Sequence, residues 1–442
     1  MSEWQVKKLG EVASLISEKI DVSGITREQY ISTDNMLPNL GGIELIDKLP
    51  EANRCNYFQK NDVLFSNIRT YFKKVWKAEF SGGCSADVLV FRTNDTSILL
   101  NDYLYLILCS DDFIQFTVAS SNGAKMPRGD KKAIMNYECL IPPLSEQEKL
   151  SKEYLSFDKK IQLNTETNRT LEQIAQAIFK HWFIDFAPVR AKAQARAQGK
   201  SAVDIEHAAM MSLSGKTADE LAALATDNPT AYTDLQTLAA AFPDELTTTE
   251  HGDVPKGWEV VPLIELFTFI GGAQPPKSEH IYEEKEGYVR FVQNRDYANE
   301  NHKTFIPISK KNKLCNEKDI LMDKYGEAGK VRFGIGGAYN VALAKIEPKQ
   351  PELLEYLRWH FMQKSTQGYL SAASMASTRS SLNSKTFTGM MICIPPEAIL
   401  SEFNRISTDY IDFSLHVKKE NASLENTRDV LLPTLLNGEI EL

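Results

Sequence analysis

Residues 145–185 carry an apolar seam too long for one compact domain to bury. Leu150, Tyr154, Phe157, Ile161, Asn164, Asn168, Leu171, Ala175, Ile178 and Trp182 recur at alternating steps of four and three. That stepping keeps one face of a coiled-coil helix turned toward a partner. A helix of this length spans roughly 60 Å, so its stability must come from packing along another element. Two seam positions are asparagine. Buried Asn costs stability and selects one alignment, so Asn164 and Asn168 are expected to fix the helix register. Pro142-Pro143 stops the preceding segment, and Ser145 with Glu148 predicts a capping box at the helix start.

The partner is expected in the same chain. Between about 398 and 436, Phe403, Ile406, Tyr410, Phe413, Val417, Leu424 and Leu431 repeat the stepping, interrupted by Glu420 and Thr427. Asn421 stands 253 residues after Asn168 and just off this seam, a third candidate for register. Pro433 is expected to kink or fray the last turn, and Gly438 to stop it.

The offset recurs because the chain is duplicated. Trp4-Gln-Val-Lys-Lys-Leu9 returns as Trp258-Glu-Val-Val-Pro-Leu263, and Asn61-Asp62-Val-Leu-Phe65 as Lys318-Asp319-Ile-Leu-Met322. Gly82-Gly83 answers to Gly336-Gly337, and Leu140-Ile-Pro-Pro143 to Cys393-Ile-Pro-Pro396. Four matches in one order at nearly constant offset mark an internal repeat. Within the first copy, strands are predicted near 28–33, 62–68, 74–79 and 86–92, with a helix near 101–118. The second copy repeats them near 291, 320, 330 and 340, with a helix over Pro351–Gln363. Residues 187–257 between the copies read as an Ala-rich linker of two or three short helices, with a capping box at Thr217 and Glu220.

Composition excludes several classes. No apolar run approaches a membrane span, and the N-terminus lacks an export signal, so a soluble cytoplasmic protein is expected. Six scattered cysteines without CxxC spacing read as buried thiols. The net charge of −9 argues mildly against a polyanion as sole partner, but a local basic groove is compatible with it. No nucleotide loop, H-E-x-x-H or nucleophile elbow is present. Gly326 to Gly337 reads as hairpin turns, and Asn228-Pro229-Thr-Ala-Tyr232 lacks the second proline of the amino-methyltransferase motif.

What remains is binding. Basic and aromatic residues interleave after the Asp-Val-Leu strand of each copy: Arg69, Tyr71, Lys73 and Lys74 in the first, Tyr325, Lys330 and Arg332 in the second. Later loops add Lys125, Arg128, Lys131 and Lys132, matched by Arg379, Ser380, Asn383 and Lys385. Arg and Asn can read base edges, while Lys and Ser hold phosphates. Which of these touch bases and which touch phosphates stays open.

The arrangement resembles the specificity subunit of Type I restriction-modification enzymes. The resemblance rests on Trp4-x4-Leu9, Gly252-Asp-Val-Pro-Lys-Gly257-Trp258, Ile141-Pro-Pro-Leu-Ser-Glu146-Gln147 and Phe183-Ile-Asp-Phe186. The second copy departs from it, having Ile394-Pro-Pro396-Glu397 without the Glu-Gln pair. The resemblance implies an α+β fold: two similar mixed α/β target-recognition domains joined by two long antiparallel coiled-coil helices, with an approximate internal twofold. The domains would be 1–143 and 258–396, the helices 144–186 and 397–442, and the linker 187–257. It further implies a non-catalytic subunit. Each domain would read half of a bipartite double-stranded DNA site, the helices would set the spacer, and two methylating and further restriction subunits would dock. S-adenosylmethionine, ATP and Mg would belong to those partners. A methyltransferase with its own target domains, or a coiled-coil scaffold that never meets DNA, are the rival readings.

Overall fold

A computed structural model describes residues 4–121, 123, 126–298, 302–375 and 381–438. The chain divides into two compact units, one of residues 1–167 with 417–442, the other of 168–416. Each unit holds one repeat and a stretch of both long helices, and the linker belongs to the second.

In the first repeat the near-continuous apolar strands are explained by burial on both faces. Val63–Ser66 lies between Val88–Thr93 and Val75–Lys77, with Ala13–Ile16 completing a four-stranded antiparallel sheet. Val63, Phe65 and Phe91 face helices, while Leu64, Trp76 and Val90 face a second four-stranded sheet. In that second sheet Tyr30–Ile31 runs parallel to Gly82–Cys84, which also pairs antiparallel with Arg54–Phe58. The predicted helix at 101–118 is two helices, Asn101–Cys109 and Asp111–Ala119. Ser110 breaks it by accepting the Phe113 N–H as an N-cap.

The second repeat follows the same plan. Ile320–Asp323, Val331–Arg332, Leu343–Pro348 and Phe267–Gly271 form the sheet buried on both faces. Tyr288–Val292 runs parallel to Gly337–Tyr339, which pairs antiparallel with Leu314–Cys315. The copies differ at the edge of this smaller sheet. Lys19–Asp21 adds beside Arg54–Phe58 in the first, whereas Phe305–Pro307 adds beside Tyr288–Val292, the opposite side, in the second. The repeated glycines mark the close approach of the parallel strand. A Cβ on Gly82 would lie 2.1 Å from the Gln29 carbonyl oxygen, and one on Gly337 2.4 Å from that of Arg290. An ion pair is also repeated: Asp62 with Arg92 at 2.7 Å, Asp319 with Lys345 at 2.9 Å.

The first long helix runs over Leu144–Phe179 and ends in a π-helical turn, Lys180–Ile184. The expected capping box at Ser145 does not form, because the helix already begins at Leu144. Buried Gln147 holds this end instead, donating to the carbonyls of Pro142 (2.8 Å) and Ile98 (2.9 Å) and accepting the Leu100 N–H (2.9 Å). Glu146 accepts the Trp4 indole N–H at 2.8 Å. Where the second copy lacks Glu-Gln, the Trp258 indole nitrogen has no hydrogen-bond partner among the described residues, and its ring packs against Phe183, Phe186 and Phe242.

The second long helix, Glu397–Leu436, passes through Pro433 without ending, a correction to the expected fraying, and stops at Gly438 with φ of +70°. Its seam also differs from the expected one. Phe413 is half exposed, and Ile411, Leu415, Leu432 and Leu435 are buried in its place. The linker holds four helices, Ala187–Ala197, Ala202–Ser214, Ala218–Asp227 and Pro229–Ala241, and a hairpin of Leu246–Thr249 with Gly252–Pro255. The Thr217–Glu220 capping box forms as expected. Lys192, from its basic start, is buried and donates to Glu206 (2.9 Å) and to the Phe242 carbonyl (2.8 Å). Among the described residues no helix is long and apolar enough to cross a membrane.

Candidate nucleic-acid interface

The loops singled out in each copy are brought together by one backbone clasp. In the first, Asn67 donates its N–H to the Asp87 carbonyl at the start of the last sheet strand (2.8 Å) and accepts the Gly129 N–H (3.3 Å). In the second, Lys324 donates to the Ala342 carbonyl (2.8 Å) and accepts the Leu382 N–H (3.2 Å). Each pair of equivalent positions is separated by nearly the same offset. The frame is therefore duplicated while the side chains on it are not.

On the first frame, Arg69 donates its backbone N–H to the Pro127 carbonyl (2.9 Å), and its guanidinium has no hydrogen bond or ion pair among the described residues. Tyr71 is exposed. Lys73 is held by an ion pair with Asp111. Lys74 donates to the Thr33 carbonyl at 2.6 Å, and burial lowers its ammonium pKa below the usual lysine value. Arg128 is half exposed but pairs with Asp87 at 2.9 Å, a hydrogen bond that raises its pKa. Lys131 and Lys132 stand exposed at the start of the Lys131–Met135 helix, capped by Asp130. With Lys8 and Glu11 they line an open concavity of about 560 Å³.

The second frame is more occupied. Tyr325 is exposed with the Lys324 ammonium 5.6 Å from its ring centre. Lys330 pairs with Glu327 at 2.8 Å. Arg332 does not belong to an open surface: it is largely buried, pairs with Asp323 (2.8 Å) and Glu327 (2.7 Å), and lies over the Tyr297 ring. Burial, the largest influence, raises the Asp323 carboxyl above its usual value, although Arg332 opposes it. Asn383 caps the 384–387 turn by accepting the Lys385 N–H at 2.9 Å, and both side chains are exposed. Lys125, Arg379 and Ser380 lie outside the described residues.

Sequence reading missed the loop that completes the first frame. Asn39 and Leu40 donate their N–H groups to the carbonyls of Phe72 (2.8 Å) and Lys73 (3.0 Å). Six non-glycine residues among those described have positive φ, and four of them, Asn39, Leu40, Arg69 and Lys73, sit in these two apposed loops. Each costs about 1–2 kcal/mol, asparagine least. No local motif signals this, because the pairing is between loops some thirty residues apart. A polar turn that starts after the parallel strand also escaped notice. Asn35 accepts the Ser32 N–H (2.6 Å) in one copy, and Asp296 the Gln293 N–H (2.9 Å) in the other. Two of the three candidate register asparagines, Asn164 and Asn421, meet across the helix pair. Asn164 donates to Asn421 Oδ1 and to Glu420, each at 2.8 Å, and Asn421 to the Ile161 carbonyl at 3.3 Å. Asn168 donates to the Ser414 carbonyl at 3.3 Å.

Comparison with known proteins agrees with the duplicated frame. The family model of the Type I restriction modification DNA specificity domain matches twice, over residues 1–173 and 255–426. The HindI specificity subunit of Haemophilus influenzae is 32% identical over 470 aligned residues, covering all of both chains. The MjaIX specificity subunit of Methanocaldococcus jannaschii is 22% identical, covering all of this chain and 94% of its own. The crystal structure of the S subunit of a Type-I restriction-modification system from M. genitalium shares the fold, with a TM-score of 0.54 at 14% identity over 98% of this chain and 96% of that one. With the repeat, the clasp and these matches together, the chain belongs to the Type I restriction-modification DNA specificity family.

Proposed function

We propose that the chain is the DNA-recognition subunit of a Type I restriction-modification complex, each repeat reading one half of a split double-stranded site. Methylating and restriction subunits act on the DNA so chosen, and S-adenosylmethionine, ATP and Mg are theirs; this chain is not the catalyst. One observation carries the reading: the same backbone clasp occurs in both repeats beneath different side chains. A constant frame with two side-chain sets is what reading two different half-sites requires. Arg69, whose guanidinium is uncommitted among the described residues, suits bidentate contact to guanine, and Lys131 and Lys385 suit phosphates.

Footprinting of the chain with its methylating subunits on random-sequence DNA, followed by mapping of methylated adenines, tests this; protection without a split consensus would refute it. Arg69→Ala is expected to relax discrimination at one half-site by ~1–3 kcal/mol and leave the other unchanged, read from competition binding. Lys385→Ala should weaken binding at the other half across sequences and reduce the salt slope by about 1. Equal loss at both halves would contradict two separate readers.

The long helices are proposed as the ruler, with Asn164, Asn168 and Asn421 holding their register. Inserting seven residues into each adds about 10 Å of helix, and the preferred spacer should lengthen by about 3 base pairs. An unchanged spacer would mean that helix length is not what is measured.

A further inference from the structure

The exposed aromatic pair of the first repeat has no counterpart in the packing of the chain. Tyr71 and Phe72 are 51% and 39% exposed, although large aromatic side chains are normally covered. Their ring centres lie 4.7 Å apart, so the rings form one apolar surface. They ride on the single turn Thr70–Phe72, flanked on both sides by left-handed residues, Arg69 and Lys73. That turn is clamped on every side. Thr70 is buried, Lys73 is tied to Asp111, the Phe72 and Lys73 carbonyls accept from Asn39 and Leu40, and Arg69 bonds to Pro127. Strain of this kind survives only where the surroundings enforce it, and here it lifts two rings into solvent on a stiff mount. Met126, also half exposed, is next to the bonded Pro127.

The charge around the pair selects its occupant. Arg69, which opens the same turn, has a guanidinium uncommitted among the described residues and supplies a cation suited to a polyanion. Apolar side chains presented beside phosphate-binding cations are the arrangement by which proteins pry apart a base step.

We propose that Tyr71 and Phe72 form a wedge that unstacks a base step in the first half-site, a deformation reader alongside the hydrogen-bonding ones. Among the described residues the matching loop of the second repeat carries a single ring, Tyr325, so the deformation belongs to one half of the site. The wedge rests on the recognition reading above. It adds sequence preference through the ease of unstacking, greatest at pyrimidine–purine steps.

The test uses the full chain assembled with its methylating subunits and a DNA duplex bearing the mapped site, with 2-aminopurine placed at successive steps. Apart from the adenine that the methylating subunits extrude in each half-site, fluorescence should rise on binding at one step of the first half-site and at none in the second. Tyr71→Ala/Phe72→Ala should abolish the rise and weaken binding roughly 10- to 100-fold, with the salt slope unchanged because no charge is lost. Phe72→Leu, still an apolar wedge, should keep most of the signal. Both substitutions are at exposed positions, and an unshifted thermal unfolding midpoint would confirm that the chain still folds. Wild-type binding without a fluorescence rise at any step other than the extruded adenines would overturn the wedge while leaving recognition intact. So would unaltered DNA affinity in the double variant, or a loss confined to assembly with the methylating subunits. Absence of any split-site protection would overturn the recognition reading and the wedge together.

Discussion

Arg428→Met is expected to destabilise the first unit by ~3–5 kcal/mol, seen as an early transition in denaturant unfolding. Arg428 lies on the second long helix, 3% exposed, and pairs with Asp158 of the first at 2.9 Å. Asp158 also accepts the Tyr105 hydroxyl at 2.9 Å, which ties the helix pair to the recognition domain. Removing the guanidinium leaves a carboxylate buried with one neutral donor, and that desolvation cost sets the size of the loss. Burial already raises the Asp158 carboxyl above the usual aspartate value, against the pull of Arg428. Without Arg428 the rise grows. The folded chain then binds the proton more tightly than the unfolded one, so stability is retained at acid pH and lost as pH rises through the folded pKa. A variant whose deficit does not shrink on acidification would show that Asp158 is solvated. Adding Asp158→Leu should recover much of the loss, since a buried pair replaced by apolar groups is often neutral.

Arg358→Met should cost a similar ~3–5 kcal/mol in the second unit. Arg358 is fully buried at the position equivalent to Tyr105, 253 residues on. It donates to both oxygens of buried Glu355 (2.9 and 3.0 Å) and to the Lys318 carbonyl (2.6 Å), and lies 4.8 Å from the Phe333 ring centre. Glu355 also accepts the Ser407 hydroxyl from the second long helix at 3.0 Å. Loss of Arg358 leaves the buried Glu355 carboxyl with the Ser407 hydroxyl as its one side-chain donor among the described residues and frees the start of the Ile320–Asp323 strand, which leads into the Lys324 clasp. Discrimination at the second half-site should therefore fall before the first is affected, whereas Arg428→Met should do the reverse. Equal effects of both variants on both half-sites would refute separate anchoring. Glu355→Gln added to Arg358→Met should restore part of the stability.

Some of this was readable without coordinates because it is periodic or local. Short apolar runs between turn residues placed Val63–Ser66 and Ile320–Asp323, and the step of four and three placed every predicted position of the first seam on a face that is at least partly covered. The second seam misled because Phe413 fits the spacing while Ile411 and Leu415 fit the packing. Capping at Thr217 was right because the box is closed by residues three apart. It failed at Ser145, where Gln147 caps through Ile98 and Leu100, contacts that no local pattern encodes.

The basic residues divide in the same way. Sequence could gather Arg69, Arg128, Lys330 and Arg332 but could not tell a cation facing solvent from one spent on a carboxylate. Arg332 is spent on Asp323 and Glu327, and Arg128 on Asp87, while Arg69 is free of such a partner among the described residues.

By itself the sequence determined the duplication, the positions of several strands, the long helices and the family, because each is written in spacing along the chain. The tertiary structure alone decided where charge is buried and where backbone is strained. Asp158 meets Arg428 across 270 residues, and Asn39 and Leu40 meet Phe72 and Lys73 across a loop. Desolvation and strain depend on which distant groups close around a residue, and spacing carries no record of that.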